Sequence, residues 1–277
     1  MLDLHLHTHH SDGTWSPTEL VEHAVAIGMK HIAVTDHDTV DGVAEAIEVA
    51  AGRLEVIPAV EINTIYIDGS GNGHDVHILG YFIDTENKDL ADVLARQKAA
   101  RAAHVLDCIA LLAAAGIEIT LDDVQACAGK GAVGKAHLTE AIVRAGGAAD
   151  VSEAYQKYMV RSSPFYAQRK SVAPLDAVKA IRAAGGIPSI AHPGKEEHVI
   201  PLIESLSQHG LMGIEAFHRV HTLRLLRQYL RYANRHSMLV TGGSDCHGPF
   251  QQYRSMMGTI SVPPEVLTAL KKARSTM

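Results

Sequence analysis

The sequence predicts an α/β chain built on a parallel sheet with crossover helices and interrupted by an all-helical insertion. Short apolar runs alternate with segments of helical spacing along most of the chain, the pattern of parallel strands joined by helices. Several runs are near-continuous in Val, Ile, Leu and Ala, as strands buried on both faces should be. Between about residues 86 and 170 the alternation lapses and only helical spacing remains.

Seven runs read as strands: residues 2–6, 31–35, 55–61, 76–82, 187–191, 212–217 and 238–241. A first helix is announced by Ser16-Pro17-Thr18-Glu19, a capping box with Pro at the first helical position. Leu20, Ala24 and Ile27 then hold one apolar face, and Gly28 marks the stop. In the insertion Leu90, Leu94, Val105, Ile109 and Leu112 keep helical spacing. A glycine-containing polar stretch, 128–135, precedes a further helix over about 138–143. A helix from Pro174 through Val178 and Ile181 ends at Gly185-Gly186 and leads back to the fifth strand. The expected division is thus one barrel-type unit, 1–85 with 171–277, and a helical insertion, 86–170, placed as a substrate lid. The length of 277 residues fits one large α/β domain with an insertion, since barrels reach ~250 residues.

Composition narrows the function classes. A chain 47% hydrophobic and 20% charged is not disordered. The net charge of −6 gives no overall basic footprint for duplex DNA. No apolar stretch approaches the ~18 residues needed to span a bilayer, and the start Met-Leu-Asp-Leu-His-Leu-His does not read as a signal peptide. Cys108, Cys127 and Cys246 form no C-x-x-C pair, which disfavours a disulfide framework or a thiolate zinc site. A cytoplasmic protein is expected.

The 18 histidines outnumber the 1 Trp, 8 Tyr and 4 Phe together, and their positions carry the functional signal. Strand one ends in His5-Leu6-His7-Thr8-His9-His10-Ser11-Asp12-Gly13, and residues two apart share a face, so His5 and His7 can point at one ion. The later strands end in Asp36-His37-Asp38, Glu61-Ile62-Asn63, His192-Pro193, Glu215-Ala216-Phe217-His218 and Ser244-Asp245-Cys246-His247, and the fourth carries His74-Asp75-Val76-His77. Active-site residues gather at the C-terminal ends of barrel strands, so these segments are expected to form one metal centre. His9, His10, His104, His198, His209 and His236 read as ordinary loop or satisfied histidines, as do His137 and His221, and His74 as a neighbour of the ligand His77. Cys246 reads as a small buried residue.

Taken together, His5-x-His7…Ser11-Asp12-Gly13, Thr35-Asp36-His37, Glu61, His77, His192-Pro193 and Ser244-Asp245-x-His247 resemble the motifs of the PHP (polymerase and histidinol phosphatase) family of amidohydrolase-like, metal-dependent phosphoesterases. Within it the chain looks most like the TrpH/YciV (RNase AM) group. The resemblance implies a distorted (β/α)7 barrel with three divalent ions. It assigns His5, His7, Glu61 and Asp245 to the first ion, the bridging Glu61 with His77 and His192 to the second, and Asp12, His37 and His247 to the third. Many members have His where this chain has Asp12. Imidazole and carboxylate without thiolate favour Mn²⁺, with Zn²⁺ or Fe²⁺ as alternatives. Two such ions ~3.5–4 Å apart neutralise a phosphate ester and supply a nucleophile at neutral pH, so Glu61 is catalytic through its bridging position.

His218 is not needed for the three ion sites and is expected to bind the scissile phosphate or protonate the leaving oxygen. The insertion carries Lys130, Lys135, Arg144, Arg161, Arg169 and Lys170. Gly134-Lys135-Ala136-His137 is similar to a Gly-Arg-Pro-His segment of the group, and Lys135 and Arg169 are expected to hold a second phosphate. The implied reaction removes the 3′-phosphate from nucleoside 3′,5′-bisphosphates, such as adenosine 3′,5′-bisphosphate to AMP. Short single-stranded 5′-phosphorylated oligonucleotides trimmed from the 5′ end are a further implied substrate. The alternatives are a histidinol-phosphate phosphatase, a C–N hydrolase, and a non-catalytic metal- or nucleotide-binding module. A complete set of nine ligands argues against the last two.

Overall fold

The computed structural model describes residues 1–129, 133–194, 199–249 and 256–277; Lys130 and His198 lie outside them. The chain runs β1 (Leu2–Leu6), α1 (Pro17–Ala26), β2 (His31–Val34), α2 (Val43–Ala50), β3 (Glu55–Ile67) and β4 (Gly73–Tyr81). The helical segment follows, with α3 (Lys88–Ala114), α4 (Leu121–Ala128), α5 (Lys135–Arg144), α6 (Val151–Ala154) and a π-helical turn, Tyr155–Met159. The alternation then resumes with α7 (Pro174–Ala183), β5 (Ile187–Ile190), α8 (Val199–Ser207), β6 (Gly213–Phe217), α9 (Leu223–Arg235), β7 (Leu239–Gly242) and α10 (Pro264–Ser275).

The strands form one sheet in chain order, β1 to β7. Its edges approach after β7: Leu6 bridges Cys246 in parallel, His7 N–H donates to the Cys246 carbonyl at 2.9 Å, and Asp245 N–H donates to the His5 carbonyl at 2.9 Å. The sheet therefore curls into a distorted barrel with helices outside. Within β1 the leucines and the polar residues take opposite faces. Leu4 packs with β7 and α10 residues, and Leu6 packs with α1 and α2. Asp3 and His5 point inward.

The sheet is not wholly parallel, as the alternation had suggested. β4 runs antiparallel to both β3 and β5. The reason is local: only Asp68-Gly-Ser-Gly-Asn72 separates β3 from β4, whereas a parallel crossover needs a dozen or more residues. The Asp68 carboxylate holds the turn by accepting Ser70 N–H at 2.8 Å and Asn72 N–H at 2.9 Å. β3 and β4 are accordingly longer than expected, and His74 lies in a strand, bonded to Asp68 at 2.8 Å.

The helical starts follow their caps. Ser16 and Glu19 form the expected capping box. Thr120 and Asp123 form another at α4, a spacing of the same kind as Ser16 and Glu19. The 27-residue α3 joins two cores: Leu90, Val93 and Leu94 pack against the barrel with Ile62, Val76 and Ile181, while Val105, Cys108 and Leu112 pack with Leu138, Ile142 and Tyr158.

Gly80 brings α7 close to the sheet. A Cβ there would lie 2.8 Å from Ile181 Cγ1 and 3.0 Å from its other branches. Ile181 is fully buried and cannot yield. Gly80→Ala is expected to destabilise by about 1–3 kcal/mol through overpacking. Urea unfolding measures this, and an unchanged midpoint would contradict it.

Candidate metal centre

The inward faces of the strands converge on Glu61. Its side chain is fully buried near the middle of β3, and its two oxygens divide the surrounding rings. Oε2 lies 3.3 Å from His5 Nε2, 3.4 Å from His7 Nε2 and 2.9 Å from His37 Nδ1. Oε1 lies 2.9 Å from His77 Nδ1 and 3.1 Å from His192 Nε2. Asp245 Oδ1 closes the first group at 3.2 Å from His7 Nε2 and 3.5 Å from His5 Nε2. Asp12 Oδ1 closes another at 3.0 Å from His247 Nε2 and 3.8 Å from His37 Nε2. All nine residues expected as ligands therefore meet in one place.

The antiparallel β4 explains how His77 takes part. His77 sits mid-strand and pairs with Asn63. Because β4 runs backwards, its earlier residues reach the end of the barrel where the parallel strands finish. Asn63 and Glu61 share a face, so His77 stands diagonally across from Glu61.

Local backbone features fit the rings into so small a volume. Bulges interrupt β1 against β2 between Asp3 and Leu6, and β6 against β7 between Glu215 and Phe217; such irregularities re-aim side chains next to active sites. A Cβ at Gly243 would lie 2.4 Å from His5 Cβ, so only glycine lets the segment after β7 pass His5. The Asp36 carboxylate accepts Thr8 N–H at 2.7 Å, Thr8 Oγ1–H at 2.6 Å and Ser11 Oγ–H at 2.6 Å. That fixes the loop bearing Asp12. His192 and Asp245 take positive φ, 23° and 55°, and such strain persists only where the surroundings over-determine it.

The electrostatics suit cation binding. Burial alone would raise the Glu61 pKa, but His37, His5 and His77 hold it well below the usual carboxylate range. Asp245 is likewise lowered, with burial outweighed by His5, His218 and His7. Both carboxylates are thus in the ligating form. Burial and repulsion from His37 pull His7 down to about 4, so its ring is neutral. His5 Nε2, His7 Nε2, His37 Nδ1, Glu61 Oε2 and His247 Nε2 are buried without a hydrogen-bond partner among the described residues. Buried polar atoms left in that state are costly. Their donor types, and the sets of three or four ligand atoms lying within 4.8 Å of one another, fit divalent cations. Only nitrogen and oxygen donors are offered.

The floor of the cluster, His5, His7 and Glu61, is fully buried, while His77, His192 and Asp245 are partly exposed. The centre therefore opens on their side. His218 lies at this site too, with its ring 5.1 Å from that of His192 and Nε2 3.6 Å from Asp245 Oδ2. Cys246 is buried in the apolar cluster of α1 and α2, as its alternation implied.

A basic group flanks the centre. Lys135 opens α5 directly after its N-cap, Gly134. Its amine lies 4.9 Å from the Tyr166 ring and 5.6 Å from that of Tyr155. Burial, together with Arg169 and Arg161, lowers its pKa against the pull of Asp75. Arg169 donates to Ser171 Oγ at 3.1 Å and leaves Nε without a partner among the described residues. Arg161 pairs with Asp75 at 2.9 Å, whereas Arg144 pairs with Glu140 on the surface and Lys170 is exposed.

One residue of the site carries no sequence signal, and a second, Glu215, stands in the strand-six segment quoted above without a role of its own. Arg101 of α3 reaches Asp38 at 3.0 Å and would touch a Cβ at Gly134, 3.0 Å from Nη2. Nothing in a polar helix singles out that arginine. Glu215 is fully buried on β6; a lone carboxylate within an apolar strand was the available signal.

Comparison with known proteins agrees with this geometry. The family model described as PHP domain matches residues 3–160. The chain belongs to the PHP domain family. It is 33% identical over 268 residues to a 3′,5′-nucleoside bisphosphate phosphatase of Chromobacterium violaceum, covering 95% of this chain and 93% of the relative. It is 30% identical over 254 residues to the 5′-3′ exoribonuclease Rnm of Escherichia coli, covering 89% and 85%. A solved structure from Bifidobacterium adolescentis, put forward as a metal-dependent phosphoesterase, superposes with a TM-score of 0.87 at 29% identity, covering 99% of this chain and 96% of that one. This PHP protein is a hydrolytic phosphoesterase, the class its motifs implied. Among its described residues no helix is long and apolar enough to cross a membrane.

Proposed function

We propose that this protein removes the 3′-phosphate from nucleoside 3′,5′-bisphosphates, using three divalent ions held by the nine residues around Glu61. His5, His7, Glu61 and Asp245 would hold one ion, Glu61, His77 and His192 a second, and Asp12, His37 and His247 a third. Mn²⁺ suits this mixture of imidazole and carboxylate, with Zn²⁺ or Fe²⁺ as alternatives. Bound there, the ions supply charge neutralisation for the phosphate and activate water.

The observation that carries the choice of substrate is the pair of adjacent anion sites. Asp75 and His77 share one face of β4, about 7 Å apart along the strand. His77 meets Glu61 at 2.9 Å, while Asp75 gathers Arg161 and lies within the field of Lys135. A substrate with two phosphates on one ribose matches that arrangement: the 3′-phosphate at the histidine cluster and the 5′-phosphate at Lys135 and Arg169. The helical segment then acts as a lid carrying the second anchor. The phosphatase from C. violaceum supports this reading. We extend the reading to short 5′-phosphorylated single strands, and relatives named 5′-3′ exoribonucleases support that extension. The net charge of −6 speaks against duplex DNA. Free cysteines, Cys108 and Cys246 being buried, accord with a cytoplasmic setting.

The test is phosphate release from adenosine 3′,5′-bisphosphate against histidinol phosphate, with and without added Mn²⁺. Preference for histidinol phosphate would overturn the reading. A charge-assisted contact is worth about 1.5–3 kcal/mol, so Lys135→Ala should raise KM for the bisphosphate by about 10–100-fold. It should leave KM for a nucleoside 3′-monophosphate nearly unchanged. An equal rise for both substrates would remove the second-phosphate anchor.

A further inference from the structure

We propose that Glu215 is a positioning residue that aligns two of the expected metal ligands, His5 and His192, at the same time. The inference rests on the reading that the histidine cluster holds divalent ions. Glu215 is fully buried on β6, beneath the cluster. Oε1 lies 2.9 Å from His5 Nδ1, and Oε2 accepts the His192 backbone N–H at 2.7 Å. Donor atoms of His5, Glu215 and His218 also fall within 4.8 Å of one another. Both Glu215 oxygens are already committed to His5 and His192, which makes it a support and not a ligand.

Each of these two bonds has a consequence at the centre. An ionised carboxylate only accepts, so His5 must carry its proton on Nδ1. In the neutral ring that a bound cation requires, Nε2 is then bare, and Nε2 is the atom that faces Glu61 and Asp245 without a hydrogen-bond partner among the described residues. A metal-binding imidazole needs this tautomer, and a carboxylate behind the ring commonly fixes it. At the other oxygen, the His192 backbone takes φ 23°, in the region that disfavours side chains. The bond to Glu215 restrains that backbone and brings the His192 ring to Glu61. The rings of His5 and His192 stack at 5.6 Å and 17° as a result. One buried carboxylate thus fixes a tautomer in one ligand and a strained main chain in the other, so the first and second ion sites are built together.

Glu215→Gln keeps the volume but offers a single oxygen, so it can serve His5 or His192 and turns an amide donor towards the other. Titrating the Mn²⁺-loaded proteins with a competing chelator is expected to show about 10–100-fold weaker Mn²⁺ binding in the variant, with an unchanged circular dichroism spectrum. Equal affinity in the two proteins overturns the role of Glu215. Failure of the unmodified protein to bind Mn²⁺ overturns the reading beneath it instead. If the variant is insoluble, the unmodified Zn²⁺-loaded protein supplies the answer. Long-range ¹H–¹⁵N correlations should show His5 protonated on Nδ1, and a bare Nδ1 overturns the proposal.

Discussion

Glu61→Gln is expected to lower kcat/KM by about 10³-fold or more. The loss corresponds to several kcal/mol of transition-state stabilisation, the order expected when two-ion chemistry is removed. Five rings approach Glu61, three at Oε2 and two at Oε1. Glutamine retains one oxygen and presents N–H donors where the other stood. One half of the cluster then faces a donor, and the negative charge that His37, His5 and His77 share is lost. The same substitution should reduce the number of tightly held ions, measured by elemental analysis after gel filtration in Mn²⁺. Activity within tenfold of normal with a full metal complement would contradict a bridging role.

His218→Ala is expected to lower kcat by about 10²-fold or more, within the usual range for losing one hydrogen-bond donor to charge that develops in the transition state. The argument is again one of tautomer. Val220 N–H donates to His218 Nδ1 at 3.4 Å, so the neutral ring carries its proton on Nε2. That atom is buried without a hydrogen-bond partner among the described residues and points towards Asp245 Oδ2, 3.6 Å away. It can therefore donate to an oxygen arriving at the cluster. A departing ribose oxygen develops much negative charge and gains from a hydrogen bond donated by Nε2, whereas p-nitrophenolate needs it far less. The variant should lose far more activity towards adenosine 3′,5′-bisphosphate than towards p-nitrophenyl phosphate, with metal content unchanged. Equal losses on both substrates would assign His218 to phosphate binding alone. No loss on either would remove it from the mechanism.

The legible part of the site had a simple cause. Five strand ends, and the middles of β3 and β4, each carried an imidazole or carboxylate in a short stretch of sequence, and the strand periodicity told which residues share a face. Gly243 and the Asp36 network were not legible, because their meaning lies in what they touch. Gly243 matters for His5, far away in sequence, and Asp36 for a loop 25 to 28 residues earlier. Arg101 was hidden for a related reason: its partner Asp38 lies after β2, 63 residues earlier, and its guanidinium stands beside Gly134 at the start of α5. The reversed β4 was legible but missed, since the Asp68–Asn72 turn is too short for a crossover.

By itself the sequence determined the α/β alternation, the run of helices between β4 and β5, the capping box at Ser16 and the residue types able to ligate. These follow from local periodicity and local hydrogen bonding, which are properties of neighbours in the chain. Only the tertiary structure decided that Glu61 splits its two oxygens between two sets of rings. It also decided that β4 delivers His77 from the opposite direction and that Glu215 stands behind His5 and His192. Those facts depend on how a curled sheet brings distant strands within hydrogen-bond distance, and no spacing along the chain encodes that distance.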